Sequence, residues 1–65
     1  KSSLININTA GVNELLTLPG IGESKANAII AYRNDNGGFK KIEDIMNISG
    51  IKEAAFNKIK ENICV

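Results

Sequence analysis

The sequence predicts an all-α domain made of two pseudo-equivalent halves, and three observations carry that expectation. The first is an internal repeat: at an offset of thirty residues, ELLTLPGIGESKANAII stands over DIMNISGIKEAAFNKIK. Gly20 matches Gly50, Ile21 matches Ile51, Glu23 matches Glu53, Asn27 matches Asn57 and Ile29 matches Ile59, while Leu15, Leu16 and Leu18 find apolar counterparts in Ile45, Met46 and Ile48. A duplicated unit constrains architecture before any single element does. The second observation is that each copy carries apolar residues at steps of three and four, the spacing of a helix face. The third is the weakness of any strand signal, since only LINI at residues 4–7 alternates.

Taken in order, residues 1–10 form an N-terminal arm, with Leu4, Ile5 and Ile7 expected to pack extended across the helices. The first half covers 11–34. Gly11 is an acceptable N-cap, and Glu14, three residues on, reaches back to the open N–H groups of the first turn. A short helix then runs to about residue 18, with Val12, Leu15, Leu16 and Leu18 as its apolar side, and Pro19 ends it because proline lacks an N–H and biases its predecessor away from the helical region. The GIG at 20–22 makes the turn. A second helix spans 23–34, with Ala26, Ile29, Ile30 and Arg33 on one face, and NDNGG closes it with residues that tolerate the left-handed conformation. The linker covers 35–41, and its Phe39 anchors the connection to the core. The second half, 42–63, repeats the plan: a helix over 42–47, a turn at SGIK, and a last helix over 52–62 bearing Ala55, Phe56, Ile59 and Ile63.

At 65 residues the chain is one domain, burying only about 60% of its unfolded surface, so its stability is small. Hydrophobic residues make up 43% and charged ones 23%, a composition of folded chains and not disordered ones. No apolar run approaches the roughly 20 residues of a membrane span, no signal-peptide pattern opens the chain, and this segment itself is expected to make no membrane contact. The abrupt start at Lys1 points to a longer parent protein. Histidine is absent and Cys64 is the lone cysteine. That excludes disulfides within the chain, the usual Cys and His zinc sites, and nucleophilic catalysis by Ser–His or Cys–His pairs. Cys64 reads as an incidental thiol, with an intermolecular disulfide the alternative. Glu43 and Asp44 are adjacent and so diverge around a helix, where they offset the first-turn dipole and do not build a metal site. Lys58 and Lys60 read as surface charges. No enzyme activity, cofactor or metal is expected from these residues.

The net charge is +1, eight Lys and Arg against seven Asp and Glu. Bulk electrostatics therefore do not drive the chain onto a polyanion, and any such binding rests on local geometry. The first turn of a helix leaves N–H groups without partners, under the positive end of the helix dipole. In the first hairpin the amides of Gly20, Ile21 and Gly22 are expected to converge on one anion with no side chain in the way. Ser24 adds a hydroxyl and Lys25 a full charge.

The second hairpin offers Gly50, Ile51 and Lys52, supported by Lys40 and Lys41. There Lys52 replaces Gly22, Ser49 replaces Pro19, and Ala55 stands where the first half has Lys25. A Cβ at position 52 is expected to strain or reshape that turn, and Lys41 at an N-cap position accepts nothing. The first hairpin is therefore expected to dominate. Gly22→Val is expected to damage both turn and binding, and Lys25→Glu to leave the helix intact because the position is exposed.

A short helix, a hairpin reading LPGIG and a second helix bearing Lys25, Ala26 and Ile29 resemble the helix-hairpin-helix DNA-binding motif. The doubled arrangement, introduced by ININTA at residues 5–10 and joined by AYRNDNGGFKKIEDI, resembles more narrowly the C-terminal domain of the ComEA family of bacterial competence proteins, over about residues 5–63. The resemblance implies two tandem helix-hairpin-helix units related by pseudo-twofold symmetry, in a SAM-like bundle similar to domain 2 of RuvA. It also implies sequence-independent binding of double-stranded DNA during natural transformation, with competence or DNA-uptake machinery proteins as partners. The implied location is the extracellular side of the bacterial cytoplasmic membrane, with the anchor in a segment absent here. Some members of the wider motif family hold a monovalent cation on hairpin carbonyls, which map here to Leu16, Leu18 and Ile21.

Two hairpins on one face would meet the two backbones flanking a minor groove, contacts that position a protein without reading sequence. With about four phosphates neutralised, log K would fall against log salt at a slope of roughly −3.6. Two other readings stay open. Doubled hairpin domains also serve as scaffolds, as in an extrinsic photosystem II subunit that this chain resembles; Glu23 beside the turn suits that reading and Lys25 does not. The third is a module that holds DNA for a nuclease or ligase domain elsewhere. With three aromatics, Tyr32, Phe39 and Phe56, a stacking platform for unpaired bases is not expected.

Overall fold

In the computed structural model, which describes residues 4–65, the chain runs through β1 (Ile5–Asn6), α1 (Val12–Leu15), α2 (Glu23–Asn36), a 3-10 helix (Ile42–Asn47), α3 (Glu53–Ile59) and β2 (Ile63–Cys64). The part of the expected arm at residues 1–3 lies outside the described residues.

Local chemistry explains where the helices start and stop. Gly11 is extended and caps α1; its N–H donates to Glu14 Oε1 at 3.3 Å, as the spacing of the two residues predicts. The α-helical part is shorter than expected. Thr17 and Leu18 donate to the carbonyls of Glu14 and Leu15, both at 3.1 Å, so the bonding has tightened by one residue before the proline is reached. The tighter step carries Leu15, Leu18 and Ile21 inward at intervals of three, and Leu16 falls off that face, 40% exposed.

Helix α2 runs two residues further than residue 34 and stops at Gly37, whose φ of +75° is left-handed. The N–H groups of Gly37 and Gly38 both reach the Arg33 carbonyl, satisfying the open end.

Helix α3 is shorter than the expected 52–62. Lys52 is its cap and not its first turn, and after Ile59 the chain turns, with Asn62 donating to the Ile59 carbonyl at 2.8 Å. Ile63 therefore sits on β2. That strand pairs parallel with β1 in the register Ile5 with Ile63 and Asn6 with Cys64, and the bonds Ile5 N–H to Asn62 carbonyl and Ile7 N–H to Cys64 carbonyl extend it. The arm is thus a short strand whose Ile7 is buried in the helical core with Ile5 packed against it, as expected, whereas Leu4 is 51% exposed. The alternation in LINI was a true strand signal, whose partner is two residues long and at the other end of the chain.

The repeat is visible in the core as matched pairs. Leu15 and Ile45, Leu18 and Ile48, Ile21 and Ile51, Ala26 and Phe56, and Ile29 and Ile59 are all buried in one cluster, joined by Ile7, Ala10, Phe39 and Ile63. Ile30, expected with them, is only partly buried. Four buried positions thus keep an aliphatic residue in both halves, and at the fifth a large ring answers a methyl group, a volume exchange a close-packed interior tolerates when the total is kept.

Polar clamps hold the N-terminal segment to this core. Asn8 uses both ends of its amide on Phe39, accepting from its N–H at 2.6 Å and donating to its carbonyl at 3.0 Å. A Cβ at Gly38, whose φ is +106°, would come within 3.0 Å of Asn8 Oδ1, so the clamp requires glycine there. Arg33 Nη1 donates to the carbonyls of Ile7 at 3.0 Å and Ala10 at 2.6 Å. Sequence reading placed Arg33 on the apolar face of its helix; that position on the buried side is what allows the guanidinium to serve these two carbonyls.

Candidate functional site

Both hairpins are built on the same four-residue turn. Ile21 N–H donates to the Leu18 carbonyl at 3.2 Å, and Ile51 N–H to the Ile48 carbonyl at 3.0 Å. The third residue of each turn has positive φ, +79° at Gly20 and +93° at Gly50. A first-to-fourth bond with positive φ at the third position is the type II arrangement, which favours proline second and glycine third. The turn is therefore LPGI and not the GIG expected from sequence, and Pro19 presets the turn, whereas α1 has already ended at Leu15.

This geometry corrects two expectations. The Ile21 amide, assigned to anion contact, is engaged inside the turn, and so is that of Ile51. The second glycine is not conformationally required either. Gly22 has φ −93° and ψ −175°, Lys52 has −107° and −168°, and a Cβ at Gly22 would meet nothing within 4 Å. Lys52 strains nothing, and Gly22→Val leaves the turn intact.

The N–H groups that stay open lie on either side of the engaged one. Among the described residues no intramolecular acceptor faces the amides of Gly20, Gly22, Glu23, Ser24 or Lys25; the next, Ala26, donates to the Gly22 carbonyl at 2.9 Å. Gly20, Gly22, Glu23 and Ser24 are exposed. The same holds after the second turn, where Phe56 N–H is the first to bond, to the Lys52 carbonyl at 2.8 Å. Sequence reading missed the amides of Glu23, Ser24 and Lys25, although the helix start after Gly22 was the signal for them.

The side chains divide less evenly. Ser24, Lys40, Lys41 and Lys52 are exposed. Lys41 caps the 3-10 helix with no side-chain bond, and Asp44 supplies the acceptor nearby, taking the Lys40 N–H at 3.1 Å. Lys25, expected to be exposed, is half-buried, and its Cε lies 3.7 Å from where a Cβ on Gly50 would stand. A first-half lysine stem thus reaches toward the second turn. Of the three carbonyls implied as a cation site, that of Leu18 accepts the Ile21 amide. Among the described residues there is no pocket and no cluster of acidic or cysteine side chains able to hold a metal ion. The chemistry on offer is that of an open surface lined with donors.

Two tandem helix–turn–helix units whose turns share one bonding scheme define the class. The helix-hairpin-helix motif family matches residues 1–64, and the chain belongs to it. Its closer affinity is to the ComEA-like branch: it is 57% identical over 65 residues to ComE operon protein 1 of Bacillus subtilis (strain 168), covering all of this chain and 32% of that protein. It is also 46% identical over 61 residues to the human endonuclease/exonuclease/phosphatase family domain-containing protein 1, covering 94% of this chain and 11% of that one. The chain therefore spans a third or less of the length of either relative.

Proposed function

We propose that this domain binds double-stranded DNA without sequence preference, and that it does so as the DNA-receiving part of a competence protein on the extracellular side of the bacterial cytoplasmic membrane, tethered by a segment outside this chain. The observation that carries the proposal is the run of exposed, unpartnered amides leading into α2, repeated after the second turn with nearly the same backbone angles. Such a run at the positive end of a helix suits a phosphate oxygen. Donors of this kind meet the backbone of DNA and not its base edges, so they fix position and leave sequence unread. Membership of the helix-hairpin-helix family and the likeness to ComE operon protein 1 support this reading. A second reading, a DNA-holding module beside an enzyme domain, is favoured by the relative whose name places it in an endonuclease/exonuclease/phosphatase family.

Gly22→Val tests the proposal, because the backbone accepts the side chain while the branched carbons cover the open amides. Loss of a charge-assisted hydrogen bond to phosphate weakens affinity by about tenfold or more. Fluorescence anisotropy on a labelled duplex should show that loss with circular dichroism unchanged. Equal affinity in the two proteins would show that the amides beside Gly22 do not carry the contact, and failure of both to bind leaves a scaffold as the function.

A further inference from the structure

Lys25 is half-buried, whereas Lys40, Lys41, Lys52, Lys58 and Lys60 are all exposed. Its stem does not cover its own turn. A Cβ at Gly20 would meet nothing within 4 Å, while one at Gly50 would touch Lys25 Cε at 3.7 Å. The ammonium is one bond beyond Cε, so the charge carried by the first half lies in the neighbourhood of the second turn. Ala55 occupies the pseudo-equivalent place in the second half and is too short to return the contact.

We propose that Lys25 serves the opposite hairpin, acting with Lys52 on a phosphate at the second turn, so that the two hairpins form one composite contact and not two separate sockets. The inference rests on the DNA-binding reading above. It makes the hairpins chemically unlike: the first presents amides and the Ser24 hydroxyl with Glu23 beside them, and the second presents two ammonium groups. Two like charges drawn to one turn raise the local potential for an anion. They also give the side chain at position 52 a use, since Lys52 adds a charge where Gly22 adds none. Lys25 is half-buried, so part of its aliphatic stem is already ordered and less side-chain entropy is lost when its ammonium meets a ligand.

The test is a double-mutant cycle with methionine, which keeps the stem and removes the charge. In the free protein, Lys25→Met should shift the amide resonance of Gly50 more than that of Gly20. On a labelled duplex at two salt concentrations, it should weaken binding by about fivefold and reduce the salt slope by about 0.9. In a Lys52→Met background the same change should cost no more than about twofold, and in a Gly22→Val background the full fivefold, because only groups sharing a partner couple. The inference is overturned if the Gly50 resonance does not respond, or if Lys25 couples to position 22 and is independent of position 52. Wild-type protein that fails to bind duplex overturns the DNA reading and this inference with it; wild-type binding with the wrong coupling pattern overturns this inference alone.

Discussion

The two hairpins share a backbone and differ in what covers it. Leu18, Pro19, Gly20 and Ile21 close with a bond of 3.2 Å, and Ile48, Ser49, Gly50 and Ile51 with one of 3.0 Å. The following residue adopts nearly the same angles whether it is Gly22 or Lys52. One glycine in each hairpin is therefore a requirement of conformation, because a residue with a Cβ pays a steric penalty at positive φ. The other is a matter of access. Gly22 sets no side chain beside the neighbouring amides, and Lys52 sets an exposed charged one there. Fold and function thus make separate demands on residues two positions apart.

The comparison is broken most forcefully in the core. Ile29 and Ile59 are both fully buried at pseudo-equivalent positions, so Ile29→Ala and Ile59→Ala should each destabilise by about 2–5 kcal/mol, and by similar amounts. Urea unfolding measures this, and losses that differ severalfold would show that the halves are not energetically equivalent. A total stability near 5 kcal/mol, the low end for domains, leaves either variant close to unfolding.

An intermediate effect marks where the halves diverge. Arg33 has Ile63 as its counterpart, and only the first half uses this position to hold carbonyls, those of Ile7 and Ala10. Arg33→Met keeps the apolar stem and should cost about 1.5–3 kcal/mol, the range for bonds to a charged donor. A melting temperature unchanged from wild type would show that the clamp contributes nothing.

The smallest change sharpens the comparison by making the second turn more like the first. Ile48 has φ −81° and ψ 131°, the extended region that a residue before proline favours, and the second position of a type II turn suits proline. Ser49→Pro should therefore stabilise by about 0.4–1 kcal/mol through the unfolded state. A lowered melting temperature would mean that the two turns are less alike than their bonds indicate.

Much of this was legible in the chain itself. The thirty-residue offset identified the core pairs before any coordinates, because burial of one face by helical spacing is a local, periodic property that a duplicated unit carries twice. NDNGG marked the close of α2, which runs two residues past the expected end, and LPGIG marked a hairpin. Where the sequence misled, a local cue had two meanings. GIG suggested two glycines of equal importance, and only the backbone angles separate the one that needs positive φ from the one that does not. The apolar run LLTL suggested a continuous face, and the tightened last turn left Leu16 outside it.

The sequence by itself determined the two halves, their helices, the turn-forming glycines and the buried stripe, since each depends on residues within a few positions of one another. Only the tertiary structure decided that β1 finds its parallel partner at the far end of the chain, that Asn8 and Arg33 hold the N-terminal segment, that the Ile21 amide is closed within its turn, and that the Lys25 stem reaches toward Gly50. Each of these brings together single groups with no repeating pattern to announce them, and their meeting is set by how the packed core orients the elements that carry them.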